Sequence, residues 1–416
     1  MKSFAPLLQR EWRLLLFGFV MTFGSSLGQT YFIGLFSGEI RAELSLSHGE
    51  FGALYSAATL LSAVILLWSG SLIDRISLPL YSYLVVIGLA LGCVLLALSR
   101  ELLTLFLGIL VLRHFGQGLM GMAGATSMVR YLYHARGKAN ALSGLGYSLS
   151  EAILPSSVIA LLAILTWRES WLFWAALLVA VMPLLIHITL RGHDQRHAQY
   201  LQSLDAAANE GDIAPQTQWT RQQVMTDPLF YLFMPALLAQ PMLFTGFMFH
   251  QVQLVQEKGW DLAVWASLYI VYALVSMGCK LWAGLLVDRF GAVRLVPLMC
   301  LPFGLGLLLL SYSDATAAAV LFMVLMGITI GIYATLSSPF FSELYGTLHL
   351  GAIKSMTTAA MVFASAVAPV LMGRMIDLGV SMAVSYTHLT LPTSAVACGC
   401  GWGGDLLREG GGGGGG

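Results

Sequence analysis

Long apolar runs separated by short polar segments fill the chain from residue 13 to residue 378. A helix that crosses a bilayer needs roughly 20 mostly apolar residues. At that length the pattern predicts eleven membrane helices, over residues 13–36, 50–73, 79–99, 102–129, 139–163, 168–190, 228–255, 263–287, 292–312, 315–340 and 350–378. The fold class that this predicts is an all-α polytopic membrane protein.

A long polar stretch at residues 191–227 divides these helices into two groups. We expect residues 1–190 to form an N-terminal six-helix bundle and residues 228–380 a C-terminal bundle with five helices present. The stretch between them is predicted to be a linker, with a short amphipathic helix near 194–208. Because no small-residue cleavage site follows the first apolar run, the first helix is expected to be retained rather than removed as a signal peptide.

The two halves repeat without a gap when the sequence is shifted by 214 residues. The shift places Tyr55 on Tyr269, Ser62 on Ser276, Trp68 on Trp282, Gly70 on Gly284, Asp74 and Arg75 on Asp288 and Arg289, and Gly92 on Gly306. Parallel repeats of six membrane helices are an architecture of secondary transporters. The sequence therefore predicts two pseudo-symmetric bundles.

The repeat also predicts a twelfth helix near residues 382–404, but the sequence there is too polar and too rich in glycine to cross a membrane. From about Val384 the chain departs from the pattern and ends in a glycine run. The stretch "VSYTHLTLPT" resembles a translated sequencing adapter, so residues 381–416 are expected to be a non-native or disordered tail. A natural low-complexity tail is the alternative.

Composition agrees with a membrane protein and excludes several other classes. The chain is 57% hydrophobic and 10% charged, with a net charge of zero, whereas soluble domains carry about 25% charged residues. There is no basic block for nucleic acid, no nucleotide loop and no catalytic triad. The five cysteines form neither a disulfide framework nor a metal site. We expect no enzyme activity, no cofactor and no metal.

Lysine and arginine predict the orientation of the chain in the membrane. If the N-terminus is cytoplasmic, 13 of these residues lie on the cytoplasmic side and 5 on the other. Positive residues collect on the cytoplasmic side of membrane proteins. We therefore expect a multi-pass protein of the inner or plasma membrane with its N-terminus and its linker in the cytoplasm.

A glycine followed four residues later by Asp-Arg ends the second and the eighth helix. The copies are Gly70, Asp74 and Arg75, and Gly284, Asp288, Arg289 and Gly291. The glycine permits close helix approach, and the charged pair can bond to a neighbouring helix end. Over residues 13–380 the chain resembles the major facilitator superfamily, whose signature loop has this form. The resemblance implies the major facilitator fold and a gating role for these seven residues.

Arg113 lies within the fourth helix, and the following Gln117-Gly118 resembles a family motif. A charge inside a membrane is costly and usually faces a cavity or a partner. Glu151 in the fifth helix is a candidate partner, and its protonation would release Arg113, which is the chemistry that proton coupling needs. A static buried ion pair that fixes packing is an equally good explanation.

Lys280 interrupts an apolar stretch that is uncharged from Ala263 to Gly278. It lies about 12 Å from Asp288 along the helix. Its side chain can either snorkel towards the interface or face a cavity and bind an anion. Lysine four residues before glycine in the eighth helix resembles the monocarboxylate transporter and oxalate–formate antiporter branch, where a cation contacts the substrate carboxylate. Position 66, its counterpart in the first half, is leucine.

Other polar residues resemble the same branch. Gln29 and Tyr31 in the first predicted helix, and His250 and Gln251 in the seventh, lie near helix centres or outer ends. Each is a candidate substrate contact, although such a residue taken alone is more often a hydrogen-bonded bundle residue. His250 also has an intrinsic pKa suited to carrying a coupled proton.

The resemblance and the buried cations imply a secondary active transporter of a small, monocarboxylate-like organic anion. It would work by alternating access, as proton symport or as anion exchange, and is expected to be a monomer in the lipid bilayer. Efflux of drugs or metabolites is one alternative, and a membrane sensor that binds without transport is another.

Overall fold

The computed structural model describes residues 5–132, 136–209, 219–299, 301–345 and 350–384, and the secondary structure in these ranges is helical throughout. The first half contains ten α-helices in chain order. They are α1 (Ala5–Gly24), α2 (Thr30–Gly34), α3 (Ser37–Leu44), α4 (His48–Ser69), α5 (Leu78–Ala97), α6 (Leu102–Leu112), α7 (Gly121–Tyr131), α8 (Arg136–Leu162), α9 (Trp167–Thr189) and α10 (His193–Asn209). A π-helical segment, Arg113–Met120, joins α6 to α7.

The second half contains the remaining eight α-helices. They are α11 (Arg221–Thr226), α12 (Pro228–Phe249), α13 (Gln251–Glu257), α14 (Leu262–Phe290), α15 (Val296–Met299), α16 (Leu301–Tyr312), α17 (Thr316–Tyr345) and α18 (Leu350–Asp377). Aspartates begin two of the long helices: Asp227 accepts a hydrogen bond from the backbone of Leu229, and Asp261 accepts one from Ala263. Such caps satisfy backbone donors at a helix start.

All eleven predicted membrane segments are helical in the structure, and the all-α polytopic fold is confirmed. Nine helices within the described residues are long and apolar enough to cross a membrane. The first predicted segment, 13–36, is not one continuous helix: α1 gives way to a 3₁₀ turn at Ser25–Gly28 and an extended Gln29. The predicted linker helix corresponds to α10, which begins at His193. The predicted twelfth helix and most of the tail lie outside the described residues.

The chain forms two compact units, each with most of its contacts inside itself. The first unit is Met1–Leu46 with Leu54–Pro215, and the second is Ser47–Ala53 with Gln216–Gly416. In the first unit α1 packs along α8, and α5 packs along both α6 and α9. In the second unit α12 packs along α18, and α17 packs along both α14 and α16.

Burial follows the predicted repeat. Tyr55 and Tyr269 are both fully buried, whereas Trp68 and Trp282, one repeat apart, are 70% and 62% exposed. The packing pairs also correspond, since α1 with α8 matches α12 with α18, and α5 with α6 matches α16 with α17. The internal repeat therefore sets which faces of the helices are buried as well as the order of the helices.

A glycine with a positive φ angle ends α14. Gly291 has φ +80° and ψ 155°, a combination that is nearly restricted to glycine. The turn directs the next backbone N–H groups towards Glu343 in α17, whose carboxylate accepts from Ala292 at 2.8 Å and from Val293 at 3.3 Å. Gly291 therefore has a direct structural role, because its backbone conformation allows Glu343 of α17 to cap the segment after α14.

We expect Gly291→Ala to destabilise the protein by about 1–3 kcal/mol, because alanine is strained at this φ and ψ. An added Cβ would also lie 3.3 Å from the Glu343 carboxylate. Gly278→Ala is the matched control in the same helix: a Cβ there meets nothing within 4 Å, and alanine favours helix by up to about 1 kcal/mol. Thermal unfolding in detergent measures both changes. Equal melting temperatures for the two variants would contradict the role of Gly291.

Candidate functional site

The break in the first membrane helix exists where two backbones touch. A Cβ on Gly28 would lie 2.3 Å from the carbonyl oxygen of Leu112, and a Cβ on Gly116 would lie 2.7 Å from the Cα of Gly28. Only glycine at both positions permits this approach. The 3₁₀ turn before Gln29 is thus held directly against the π-helical segment that begins at Arg113.

The 3₁₀ turn provides a backbone hydrogen-bond acceptor for Arg113, which is 2% exposed. One guanidinium nitrogen, Nη1, donates to the carbonyl of Gly28 at 2.9 Å and to the Thr30 hydroxyl at 3.4 Å. The guanidinium also lies over the ring of Tyr55, 5.2 Å from its centroid, and the Tyr55 hydroxyl is 2.7 Å from that of Thr30. Neutral dipoles and a π-face hold this buried cation.

The expected ion pair between Arg113 and Glu151 is not among the contacts described for Arg113, because its guanidinium is turned towards Gly28 and Tyr55. Glu151 lies in α8 and is partly buried. It interacts electrostatically with Tyr31 and Tyr147 in the same unit. The carboxylate is therefore associated with tyrosine hydroxyls, and the cation with a separate set of neutral groups.

Tyr31 and Gln29 lie at the break itself. Gln29 is the extended residue between the 3₁₀ turn and α2, and it is partly buried. Tyr31 is 3% exposed, and its hydroxyl donates to Ser150 in α8 at 3.4 Å. Since Ser150 precedes Glu151, the structure brings Tyr31 and Glu151 into one polar cluster, which neighbours the Arg113 contacts through the short α2.

In the second unit, His250 is buried at the end of α12. Its Nε2 is 2.9 Å from the carbonyl oxygen of Pro369 in α18. Pro369 lies inside α18, so this contact joins the end of α12 to α18. The ring of His48 lies 5.7 Å away. Two histidine rings and a backbone acceptor therefore share this position.

Gln251 has a structural role that its sequence context did not reveal. Its side chain is fully buried, and its amide oxygen accepts from the indole of Trp265 at 3.0 Å and from the hydroxyl of Tyr269 at 2.7 Å. With both acceptor positions filled, this oxygen joins α13 to α14. The role of Gln251 in substrate binding stays a prediction.

Lys280 is partly buried in the middle of α14. Its backbone is fixed against α17, because Thr335 donates to its carbonyl at 3.3 Å and a Cβ on Gly331 would lie 3.1 Å from its amide nitrogen. Eleven residues separate Lys280 from Tyr269, which corresponds to about 16 Å along the helix. The structure therefore does not bring Lys280 together with Gln251.

The motif residues are described only in part. Gly70 is buried at the start of the 3₁₀ turn Gly70–Asp74, and a Cβ there would lie 3.1 Å from Met122 in α7. Arg75 is exposed. The side chains of Asp74, Asp288 and Arg289, and the surroundings of Gly284, lie outside the described residues, so the gating role of these residues stays a prediction.

Several residues near Arg113 were not predicted from the sequence. Thr30 and Ser150 carry no distinctive sequence pattern. Tyr55 had one available signal, since it is repeated as Tyr269, and both tyrosine hydroxyls bond to a polar side chain that follows the first helix of their own unit. His114 is also buried, and its Nδ1 has no hydrogen-bond partner among the described residues.

Replacing Arg113 with methionine tests whether this cation stabilises the fold. Its Nε has no hydrogen-bond partner among the described residues, and removing an incompletely bonded buried charge is often neutral or stabilising. We expect Arg113→Met to change the free energy of unfolding by less than about 1 kcal/mol. In the matched change Gln251→Met, two buried donors lose their acceptor, at a cost of about 2 kcal/mol or more. Thermal unfolding compares them, and a larger loss for Arg113→Met would identify a structural cation.

Comparisons with known proteins agree with this architecture. The sequence profile described as "Major Facilitator Superfamily" matches residues 18–388, whereas no curated protein sequence matches the chain. A variant of the nucleoside transporter NupG is similar in structure, with a TM-score of 0.65 and 15% identity over 96% of this chain and 100% of that one. So is a bacterial homologue of the human lysosomal transporter Spinster, inward-facing and unoccupied, with a TM-score of 0.63 and 13% identity over 94% and 95%. At these identities the likeness is one of fold, and the profile match establishes that the chain belongs to the Major Facilitator Superfamily of membrane transporters.

Proposed function

We propose that this transporter carries a small organic anion, of the monocarboxylate type, by proton symport or by anion exchange. The observation that carries the proposal is Lys280, a lysine at the end of the apolar span Leu262–Lys280 and within the longer helix α14. In an apolar helix an ammonium group is expensive unless it has a polar partner or a function. Binding of an anionic substrate would be such a function.

The placement of Lys280 supports a function rather than incidental snorkelling. The contacts with Gly331 and Thr335 fix its backbone, and fixed elements position a binding group more accurately than loops do. Its repeat counterpart, Leu66, is uncharged, so the positive charge is not required by the symmetric scaffold. A group that the fold does not need is a reasonable candidate for substrate recognition.

The cluster around Glu151 supports proton coupling in the first unit. The partly buried carboxylate of Glu151 interacts electrostatically with Tyr31 and Tyr147, so its charge state affects the surroundings of both tyrosines. Protonation of Glu151 would remove its negative charge and so change the contacts at the break in the first helix. The separate placement of Arg113 makes Glu151, rather than an Arg113–Glu151 pair, the proposed proton carrier. Arg113 retains a proposed role as a fixed positive charge near the pathway.

The similarity to NupG, described as a nucleoside transporter, suggests a neutral substrate as the competing possibility. A nucleoside carries no net charge at neutral pH, so its recognition would not depend on the ammonium group of Lys280. A carboxylate would depend on it. The same set of variants therefore distinguishes the two substrate classes.

Uptake of labelled carboxylates into proteoliposomes tests the anion site. We expect Lys280→Ala to lower uptake at least tenfold, since one lost charge-assisted bond is worth about 1.5–3 kcal/mol. Lys280→Arg should retain part of the uptake because the charge remains. Arg294→Gln, an exposed arginine of the same unit, is the control and should behave like the wild type. Normal carboxylate uptake by Lys280→Ala would reject the anion proposal. So would uridine uptake that is the same in Lys280→Ala and in the wild type.

Proton coupling is tested with Glu151→Gln, which keeps the shape of the side chain and removes its titration. We expect uptake driven by a pH gradient to fall at least tenfold, whereas exchange of internal for external substrate should persist because it requires no net proton movement. Glu39→Gln, at an exposed carboxylate, is the matched control. Gradient-driven uptake that survives in Glu151→Gln would exclude Glu151 as the proton carrier.

A further inference from the structure

A cationic cavity lies at the end of the first unit that the charge distribution predicts to be cytoplasmic. Its volume is about 340 Å³, and it lies between the start of α1 and the start of α10. Four arginines line it, Arg10, Arg13, Arg191 and Arg196, and one carboxylate, Glu11, lies among them. We refer to this feature as the arginine cavity.

A kink in α1 makes the arginine cavity possible. Residues 10 to 13 all line the cavity, whereas four consecutive residues of a regular α-helix point about 100° apart and so cover its whole circumference. Glu11 has non-helical angles, φ −119° and ψ 20°, and this irregular backbone changes the direction of the side chains around it. The cavity is therefore a product of the local backbone as well as of the sequence.

The positive charges of the cavity are only partly compensated. Glu11 pairs with Arg196 at 2.6 Å and lies 3.7 Å from Arg10. Within the described part of the first unit no carboxylate pairs with Arg13 or Arg191. Four guanidinium groups around one carboxylate leave an excess of positive charge. That excess favours an anion in the cavity.

The linker helix that forms one wall is docked rather than loose. The ring of His193 meets the ring of Tyr131 in α7 at 4.7 Å, nearly perpendicular, and Tyr131 also bonds to His197 at 3.1 Å. Burial lowers the pKa of His193 from 6.5 to about 4, so this docked ring is neutral at physiological pH and adds no charge. The wall is fixed by aromatic packing, and the arginines alone supply the charge.

We propose that the arginine cavity binds a phosphate-bearing anion. Guanidinium groups bond to phosphate oxygens through paired N–H donors, which makes arginine well suited to phosphate. Trp12, which also lines the cavity and is 47% exposed, has the amphipathic character of residues at the headgroup level of a membrane. The phosphate can therefore belong to an anionic phospholipid of the cytoplasmic leaflet or to a soluble phosphate ester.

The test uses the purified full-length chain in detergent, with ligand binding followed by native mass spectrometry. The three probes are short-chain phosphatidylglycerol, short-chain phosphatidylcholine and glycerol 3-phosphate. The test variant is Arg13→Gln with Arg191→Gln. The control is Arg221→Gln with Arg294→Gln, which removes two exposed arginines predicted to be on the same side of the membrane, in the other unit.

We expect phosphatidylglycerol to bind the wild type more tightly than phosphatidylcholine, and the test variant to bind it roughly thirtyfold more weakly. The control variant should change affinity less than threefold. Arginine-dependent binding of glycerol 3-phosphate at similar affinity would identify a soluble ester as the ligand, and dependence seen only with the lipid would identify the headgroup. Either result supports a phosphate site.

Two results would overturn the proposal. One is that neither phosphatidylglycerol nor glycerol 3-phosphate binds to the wild type, and the other is that both bind equally to the wild type and to the test variant. If the double substitution prevents folding, the single variant Arg191→Gln serves instead, with an expected loss of about fivefold. Because Arg191 is exposed, its replacement should leave the unfolding temperature within about 2 °C of the wild type.

Discussion

The buried guanidinium of Arg113 is a physical constraint that the surrounding groups of the first unit have to satisfy. A cation with this little exposure must be given hydrogen-bond acceptors by the protein, because the membrane offers none. The acceptors come from the broken first helix, whose Gly28 carbonyl faces Arg113. That break in turn depends on the contact between Gly28 and Gly116. The break in the first helix, the contact between the two glycines and the hydrogen bonding of the buried cation are therefore connected.

The same scaffold position carries different chemistry in the two units. Tyr55 and Tyr269 are related by the repeat, and each anchors its helix to the region after the first helix of its own unit. Tyr55 does so beside a cation, whereas Tyr269 does so through Gln251, a neutral amide. Lys280 is charged where its counterpart is leucine. The repeat therefore maintains the packing, and the departures from it provide chemical asymmetry, which a carrier needs in order to bind one substrate in one orientation.

The helices could be predicted from the sequence because their length and apolarity follow from the thickness of a membrane. The break at Gln29 could not be predicted in this way, because it depends on a contact between Gly28 and Gly116, which are far apart in the chain. Opposite charges suggest the pairing of Arg113 with Glu151, which stays a prediction. The contacts described for Arg113 are with a carbonyl group of the broken helix and with a tyrosine ring, and the sequence alone does not reveal them. Similarly, Gln251 was chosen for its polarity, but Trp265 and Tyr269 occupy its oxygen.

The arginines of the chain are stabilised in two physically different ways. Arg113 is enclosed, and fixed dipoles around it leave little need for a counterion. The arginines of the cavity beside α10 are wholly or partly exposed to solvent and surround one carboxylate, so their repulsion is relieved mainly by mobile ions or by a bound anion. An excess of positive residues on one side of a membrane protein is normally only a count along the sequence. Here the kink at Glu11 and the docking of α10 gather four of them around one cavity, which converts a general preference for one leaflet into a candidate site with a defined position.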